Sequence, residues 1–364
     1  MIVDSQDRHS EATATVAEGD PHCDDLHRCR RHHSFAMTLV LLLAQVDTPT
    51  AVEKFADATA SGLALGAIYA LLALGLVMIY KATQVLNFAH GALAALGAYF
   101  AAYFFVTLNF PGRYLEWAPE TVQWALSGLV AIALTALVGY VVERLTIQPM
   151  IGEPLFAVVM ITIALDIIIR NVTNDLIGQA TRPLKTPWGT DVVDLGLFSI
   201  AKTEIATIVV TIVTLVLVAL FFRTRTGVAM RATAFDQEAA MAQGINAARI
   251  FAIAWVIGAA LAAVGGIFSS LFPRSGGVTV NATAFFVFRA LPAVVIGGLD
   301  SIIGAVLGGF MVGLAERYAG AYLIGDTWSF LGGGFSAILP YLLMMGVLLV
   351  RPYGLFGTEE IRRV

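Results

Sequence analysis

The sequence predicts an all-α protein, a polytopic transmembrane helix bundle of eight to nine spans with a short cytoplasmic helix between two of them. Apolar residues make up 58% of the 364 residues and charged residues only 13%, whereas a soluble domain carries about 25% charged residues. The mean hydropathy is +0.80. Such a chain cannot cover its own surface with polar groups, so lipid is the natural solvent for most of it.

The third observation is that long apolar runs recur along the chain, and a membrane crossing needs about 20 such residues. The runs cover residues 60–80, 88–106, 122–142, 155–169, 205–222, 250–272, 284–318 and 338–350. The run 284–318 is too long for one crossing. It contains Gly297-Gly298-Leu299-Asp300, so we expect two spans joined by a turn at these residues.

Basic residues predict the orientation, because they concentrate in cytoplasmic loops. The insert between the fifth and sixth runs holds Arg223, Arg225, Arg231 and Arg249, and the C-terminus holds Arg351, Arg362 and Arg363. Both segments are therefore expected on the cytoplasmic side, with four crossings between them. Residues 171–202 and 273–281 are then outer loops.

The predicted domain organisation is a tail (1–57), a transmembrane domain (58–357) and a short cytoplasmic tail (358–364). Residues 1–34 are polar and lack an apolar period, which is typical of disorder. A basic cluster at 28–33 followed by an apolar stretch at 35–46 is similar to the start of a signal peptide, but no small-residue cleavage site follows. Alternatively, Met37 is the true start and residues 1–36 are not translated; the sequence leaves this open.

No metal or cofactor is predicted. The tail contains a cluster of potential ligands, namely His22, Cys23, His27, Cys29, His32 and His33. Their spacings fit no standard zinc pattern, and a disordered tail is the preferred interpretation.

Catalytic patterns are missing from the sequence. There is no Gly-x-x-x-x-Gly-Lys phosphate loop, no His-Glu-x-x-His helix and no Gly-x-Ser-x-Gly elbow, so we expect no enzyme and no catalytic residues. Charges inside the spans are few. Asp166 and Arg170 are spaced to pair with each other on one helix. Arg289 could line a pathway or reach towards an interface, and Glu316 is expected at the interfacial end of a span.

The insert predicts a short amphipathic helix over Val228–Gln243, rich in good helix formers. Gly244 is placed to end it, with Ile245 able to make the accompanying apolar contact. Such a helix either lies at the membrane interface or docks into a groove on a partner protein.

A second motif, Asn87-Phe88-Ala89-His90-Gly91, stands at the head of the second apolar run. Asn87 and His90 are polar groups that need partners in lipid, and Gly91 permits a close backbone approach. We expect a structural cap here; the alternative is a helix break beside a transport pathway. No metal role is expected for His90.

Within the insert, Glu238-Ala239-Ala240 followed after three residues by Gly244 resembles the start of the loop signature of bacterial ABC import permeases, although the later Ile-x-Leu-Pro of that signature is absent. Further segments resemble the LivH-type permeases for branched-chain amino acids. They are residues 62–80 leading into 85–91, 227–266, 295–309 and 350–357. The resemblance covers most of residues 58–357.

The resemblance implies a permease subunit of an ABC importer in the cell inner membrane. It implies a second permease subunit as a heterodimer partner, two ABC ATPase subunits and an external solute-binding protein that delivers isoleucine, leucine or valine. Urea, amides or sugars as substrates stay open, and so does a stand-alone secondary transporter. The residues assigned to ATPase coupling are Arg231, Asp236, Glu238, Ala239, Ala240 and Gly244. Those assigned to a pathway or structural motif are Asn87, Phe88, His90, Gly91 and Arg289.

Overall fold

The computed structural model describes residues 50–150, 153–177, 181–196, 198–323 and 334–358, and the structural statements below concern these residues. The histidines and cysteines of the tail, the apolar stretch 35–46 and residues 359–364 lie outside them. The tail boundary expected at residue 57 falls within a helix that begins at Ala51.

Helices dominate the described part of the chain. They are α1 (Ala51–Thr83), α2 (His90–Ala102), α3 (Glu120–Val142), α4 (Leu155–Ile177), α5 (Lys202–Phe221), α6 (Arg225–Phe235), α7 (Gln237–Ala242), α8 (Ala247–Ser269), α9 (Val280–Phe288), α10 (Leu291–Gly297), α11 (Ile302–Tyr322) and α12 (Phe335–Val350). The π-helical turns Tyr103–Thr107 and Glu143–Ile147 extend α2 and α3, and a 3-10 turn, Gln148–Met150, follows the second. Four short strands form two antiparallel ribbons. They are β1 (Arg182–Pro183), β2 (Val192–Asp194), β3 (Ser199–Ala201) and β4 (Gly277–Val278), with β1 paired to β4 and β2 to β3.

Eight helical stretches within the described residues are long and apolar enough to cross a membrane, and α12 is a shorter apolar helix of 16 residues. This confirms the all-α transmembrane bundle. The long run 284–318 divides as predicted, since one stretch ends at Gly297 and α11 begins at Ile302. The first of these two stretches is itself broken, because α9 ends at Phe288 and α10 begins at Leu291.

The break between α9 and α10 follows from Pro292 in the first turn of α10. Proline has no N–H, so the helix would lack the bond to the carbonyl four residues earlier, which belongs to Phe288. The hydroxyl of Tyr341 donates to that carbonyl oxygen instead, at 3.1 Å. A backbone group left open by proline inside the membrane is thereby satisfied from a neighbouring helix.

The sequence predicted a single helix over Val228–Gln243 in the insert. This prediction was wrong, because the insert forms two helices. Asp236 adopts an extended backbone (φ −152°, ψ 106°), so that α6 ends before it and α7 begins after it. Its carboxylate accepts a hydrogen bond from the Ala239 N–H at 2.9 Å. Capping of a new helix by an aspartate therefore outweighs continuation of the first one.

The end of α7 matches the sequence prediction. Gly244 has φ +82°, a conformation that side-chain-bearing residues rarely adopt. The Gly244 N–H donates to the Met241 carbonyl at 2.9 Å, and the Ile245 N–H to the Ala240 carbonyl at 3.1 Å. This pair of bonds is the Schellman pattern, which gives the last carbonyls of a helix their partners.

The two ends of the bundle carry different structures. At one end, Lys81 donates to the Asp300 carbonyl at 2.9 Å, and Thr358 binds the Asp300 carboxylate. The insert lies beside the same end of α1, and we call this the insert end. The strand ribbons lie at the opposite end, where Asp57 near the start of α1 accepts from the Ser199 N–H at 2.8 Å. The insert and the described part of the C-terminal segment, which includes Arg351, thus share one end of the bundle.

Helix α1 lies at the centre and packs closely against α11. A Cβ added to Gly313 would lie 2.3 Å from the backbone of Gly66, and one added to Gly309 would lie 2.4 Å from the Ala70 nitrogen. Small residues at such positions let helices approach in lipid, where no hydrophobic effect drives their association.

We predict that Gly313→Leu separates α1 from α11, because no leucine rotamer fits against the Gly66 backbone. Overpacking of a core costs about 1–3 kcal/mol and occasionally more, so the melting temperature in detergent should fall clearly. Gly128→Leu on α3 is the matched control, since nothing lies within 4 Å of a Cβ there. Equal melting temperatures for the two variants would contradict this packing.

Candidate functional site

An open cleft at the insert end separates the insert from the ends of the long helices. Its volume is about 430 Å³, and its lining includes Thr83 at the end of α1, Glu153 before α4 and Phe251 of α8. The insert contributes Asp236, Gln237, Glu238 and Met241 to the same lining. Three carboxylates therefore border a cleft that is otherwise largely apolar.

The corner between α6 and α7 projects from the bundle. Of the six residues predicted for ATPase coupling, Arg231, Asp236, Glu238, Ala239 and Gly244 are exposed and Ala240 is buried. Phe235, directly before the corner, is 95% exposed. We call residues 231–244 the docking corner. Sequence reasoning missed Phe235, although a lone phenylalanine in a polar, alanine-rich insert was a visible signal.

The Asn87–Gly91 motif is buried at the start of α2. The Asn87 side-chain oxygen accepts from the Ala89 N–H at 3.0 Å, a local bond that orders the turn before the helix. His90 is 1% exposed, and its ring fits a slot opposite Gly75, where a Cβ would lie 2.6 Å from the ring. The Asn87 amide nitrogen has no hydrogen-bond partner among the described residues.

Gly91 permits the contact between α2 and α9. A Cβ on Gly91 would lie 2.5 Å from the Ala284 carbonyl oxygen. Asn87, Phe88 and His90 border a small cavity of about 20 Å³, which Phe288 and Leu291 close from the broken span. The cavity is too small for an amino acid in this conformation, since a single water needs about 10–15 Å³ on the same measure.

Arg289 lies at the joint between α9 and α10 and faces a neighbouring helix. Its guanidinium is 3.4 Å from the Glu316 carboxylate, whose other oxygen accepts a hydrogen bond from the Tyr69 hydroxyl at 2.6 Å. Arg289 also lies over the Phe286 ring, 5.9 Å from its centroid. Glu316, expected at an interface, is instead bonded inside the bundle.

Two further ion pairs among the described residues involve the membrane-spanning helices and are largely shielded from solvent. Asp166 and Arg170 pair within α4 as predicted, and Arg170 lies 4.9 Å from the centroid of Phe285. Arg274, in the loop between α8 and α9, is 3.7 Å from Glu204 of α5. Its side chain is only 6% exposed, and this burial lowers its pKa to about 10, an effect that the nearby Glu204 carboxylate opposes. The Arg274 pair joins segments far apart in sequence and could not have been predicted.

The chemistry of these groups is that of binding and transport. Among the residues that the structure describes, no group of three or more His, Cys, Asp or Glu side chains could hold a metal ion. A bundle of membrane-crossing helices with charges paired inside it is the architecture of a multi-pass membrane protein.

The particular family follows from comparison with known proteins. Residues 58–350 match the family described as "Branched-chain amino acid transport system / permease component", and the chain belongs to this family. Its members are transport components, and the chain is not an enzyme.

Three relatives show how far the similarity extends. The high-affinity branched-chain amino acid transport system permease protein LivH of Escherichia coli is 30% identical over 313 residues, which cover 84% of this chain and 96% of the relative. The permease protein BraD of Pseudomonas aeruginosa, of the same description, is 32% identical over 312 residues, with the same coverage. A probable branched-chain amino acid transport permease protein LivH of Methanocaldococcus jannaschii is 28% identical over 298 residues, which cover 79% of this chain and 88% of the relative. No solved structure matches the chain significantly.

We predict that Glu204→Gln destabilises the protein, because it leaves the Arg274 charge buried without compensation while the glutamine can still accept the bond from the Ala201 N–H. Removing one partner of a buried ion pair costs about 3–5 kcal/mol. Melting temperatures in detergent should therefore fall for Glu204→Gln and recover in part when Arg274→Met is added.

Asp191→Asn is the matched control, since it breaks the exposed pair of Asp191 with Lys202 at the same end of the bundle. An exposed pair contributes about 0–1 kcal/mol. A melting temperature that responds equally to Asp191→Asn and Glu204→Gln would show that the Arg274 pair is not a buried electrostatic contact.

Proposed function

We propose that this chain is the translocating permease subunit of an ABC importer for branched-chain amino acids, located in the inner membrane. The observation that carries the proposal is the docking corner, a rigid and exposed helical turn at one end of the bundle. The sequence has no phosphate loop of its own. The motor that a permease of this family needs is therefore a separate ATPase.

The docking corner has the features of a protein-binding surface. Asp236 and Gly244 fix both ends of α7 by capping, so little conformational freedom is left to lose on binding. Phe235 offers an aromatic side chain, the kind of residue that anchors interfaces when it enters a partner's pocket. Glu238 and Arg231 supply a polar rim beside it.

The orientation that fits this function places the insert end in the cytoplasm. The basic residues of the insert and of the C-terminal segment support this side. The strand ribbons then face outward, where a solute-binding protein would deliver the substrate. A second permease subunit would complete the pathway.

The substrate class rests on the relatives, whose names state branched-chain amino acid transport. Leucine, isoleucine and valine combine an aliphatic side chain with a zwitterionic head. A permease for them needs an intramembrane group that compensates the head charges, and charged groups within the bundle supply candidates. Urea, amides and sugars lack this zwitterion.

A stand-alone secondary transporter is the second candidate, because acids inside a membrane domain often serve ion coupling. Asp166 is the test residue, since it is buried in α4. The structure favours a local role for it, because Arg170 on the same helix is its ion-pair partner.

We predict that Glu238→Ala and Gly244→Pro reduce co-purification of the chain with its ATPase subunit while the bundle stays folded. Proline cannot adopt the φ of +82° found at Gly244, so this change disrupts the end of α7. Glu116→Ala, on an exposed residue at the opposite end, is the control and should leave the complex intact. Unchanged ATPase retention in both insert variants would exclude the docking role.

We predict that Asp166→Asn retains leucine uptake driven by ATP in the assembled transporter, because Asp166 pairs locally and drives no ion coupling. The measurement is uptake into proteoliposomes with and without an imposed proton or sodium gradient. If Asp166→Asn abolishes uptake while the insert tolerates substitution, the protein is a secondary transporter and the ABC assignment fails.

A further inference from the structure

The α9–α10 joint places a charged side chain near the middle of a membrane span. The broken span runs over Val280–Gly297, and Arg289 is its tenth residue of 18. Arg289 and Ala290 stand between the two helices, so the backbone that carries the guanidinium belongs to neither helix interior. Discontinuous helices of this kind form substrate sites near the midplane in many transporters.

The guanidinium is open on one side. The Arg289 side chain is 42% exposed, whereas its partner Glu316 is only 11% exposed. A charged side chain at the bilayer centre is costly even on insertion-based scales. The open side of Arg289 therefore faces protein or a water-filled pathway, not acyl chains.

The charges around this joint do not cancel. Glu316 is bonded to Tyr69 and Arg289, and Arg274 lies within electrostatic reach of Glu204, Arg317 and Tyr69. These three guanidinium groups and two carboxylates form one charged cluster, in which the Tyr69 hydroxyl bonds Glu316. The cluster carries one more positive than negative charge, which favours an anionic group at the open side.

We propose that Arg289 binds the α-carboxylate of the transported amino acid and that Glu316 binds its α-ammonium group, with the Tyr69 hydroxyl holding Glu316 in place. The guanidinium offers a planar pair of N–H donors that matches a carboxylate. Glu316 keeps its bond to Tyr69 through one oxygen and has the other, now 3.4 Å from Arg289, available for the ammonium. No proton transfer or covalent step is involved.

The site deepens the proposed function and rests on it. The empty and loaded states differ in the partners of Arg289 and Glu316. Without substrate, the guanidinium faces Glu316; with substrate, the two charges are separated by the zwitterion, which pairs with both. Each charge therefore has a partner in both states, so neither state leaves a lone charge within the membrane.

The test uses the full transporter, that is, the chain with its partner permease, ATPases and binding protein in proteoliposomes. Leucine uptake and ATP hydrolysis stimulated by the loaded binding protein are measured together. We predict that Arg289→Met lowers the leucine carried per ATP hydrolysed by about tenfold or more, the loss expected for a charge-assisted hydrogen bond. Assembly and stimulated hydrolysis should persist.

Arg170→Met is the matched control. Arg170 is also a guanidinium in a membrane-spanning helix, paired to an acid and lying over a phenylalanine ring, but it is outside the proposed site. It should keep the leucine-to-ATP ratio within about twofold of the unaltered protein. An equal loss in the Arg170 and Arg289 variants would overturn the specific role of Arg289.

Two further variants separate binding from a purely structural ion pair. Arg289→Lys keeps the charge and the pairing but not the planar fork, and it should lower the leucine-to-ATP ratio several-fold. The double variant Arg289→Glu with Glu316→Arg reverses the ion pair. Its melting temperature should equal that of the unaltered protein, but its leucine transport should not. Full transport in either variant would show that the pair is structural only and would overturn the proposal.

Failure of the proposed function would give a different result from failure of the proposed site alone. In that case the unaltered complex carries no leucine or retains no ATPase, whatever residue 289 is. If the unaltered complex carries leucine and the Arg289→Met complex carries it equally well, only the site assignment is wrong. Where the methionine variant does not fold, Arg289→Lys takes its place in this comparison.

Discussion

The close approach of α1 to its neighbours is the constraint on which the rest of the structure depends. In lipid, helices gain nothing from burying apolar surface against each other, so they associate where backbones can meet. Gly66 and Gly313 bring α1 against α11, and Gly75 and Gly258 bring it against α8. A central helix that several neighbours contact in this way determines which partners the polar groups of the other helices can reach.

The polar groups inside the bundle follow from this packing. A backbone or side-chain group in lipid must be satisfied by protein, and the structure meets this need across helices. The Tyr341 hydroxyl of α12 donates a hydrogen bond to the Phe288 carbonyl, which lacks a helical partner because of Pro292. Tyr69 of α1 and Arg289 at the broken span share Glu316 of α11. The broken span is therefore held at its joint by three of its neighbours.

Local signals explain what could be predicted from sequence. The division at residues 298–301, the left-handed Gly244 and the Asp166–Arg170 pair all depend on residues close in the chain. The break at Asp236 is local too, but helix propensity and capping compete there, and composition alone favoured one helix. The Tyr69–Glu316 bond joins residues 247 positions apart. No periodicity in a single sequence records such a contact, so the cluster around Arg289 had to come from the structure.

Helix α10 connects the proposed amino-acid site at Arg289 with the turn at the insert end of the bundle. Its seven residues make a rod of about 10 Å. It begins beside Arg289 and ends at the turn where Lys81 binds Asp300, whose carboxylate binds Thr358. The Leu355 and Phe356 N–H groups also donate to the carbonyls of Ile296 and Gly297. In the proposed transporter, a displacement of this turn at the insert end moves α10 as a unit. Helix α10 packs closely on the start of α11, where a Cβ on Gly304 or Gly308 would meet the backbone of Gly297 or Ala293, so the turn, α10 and the start of α11 form one unit that the joint at residues 289–290 connects to α9.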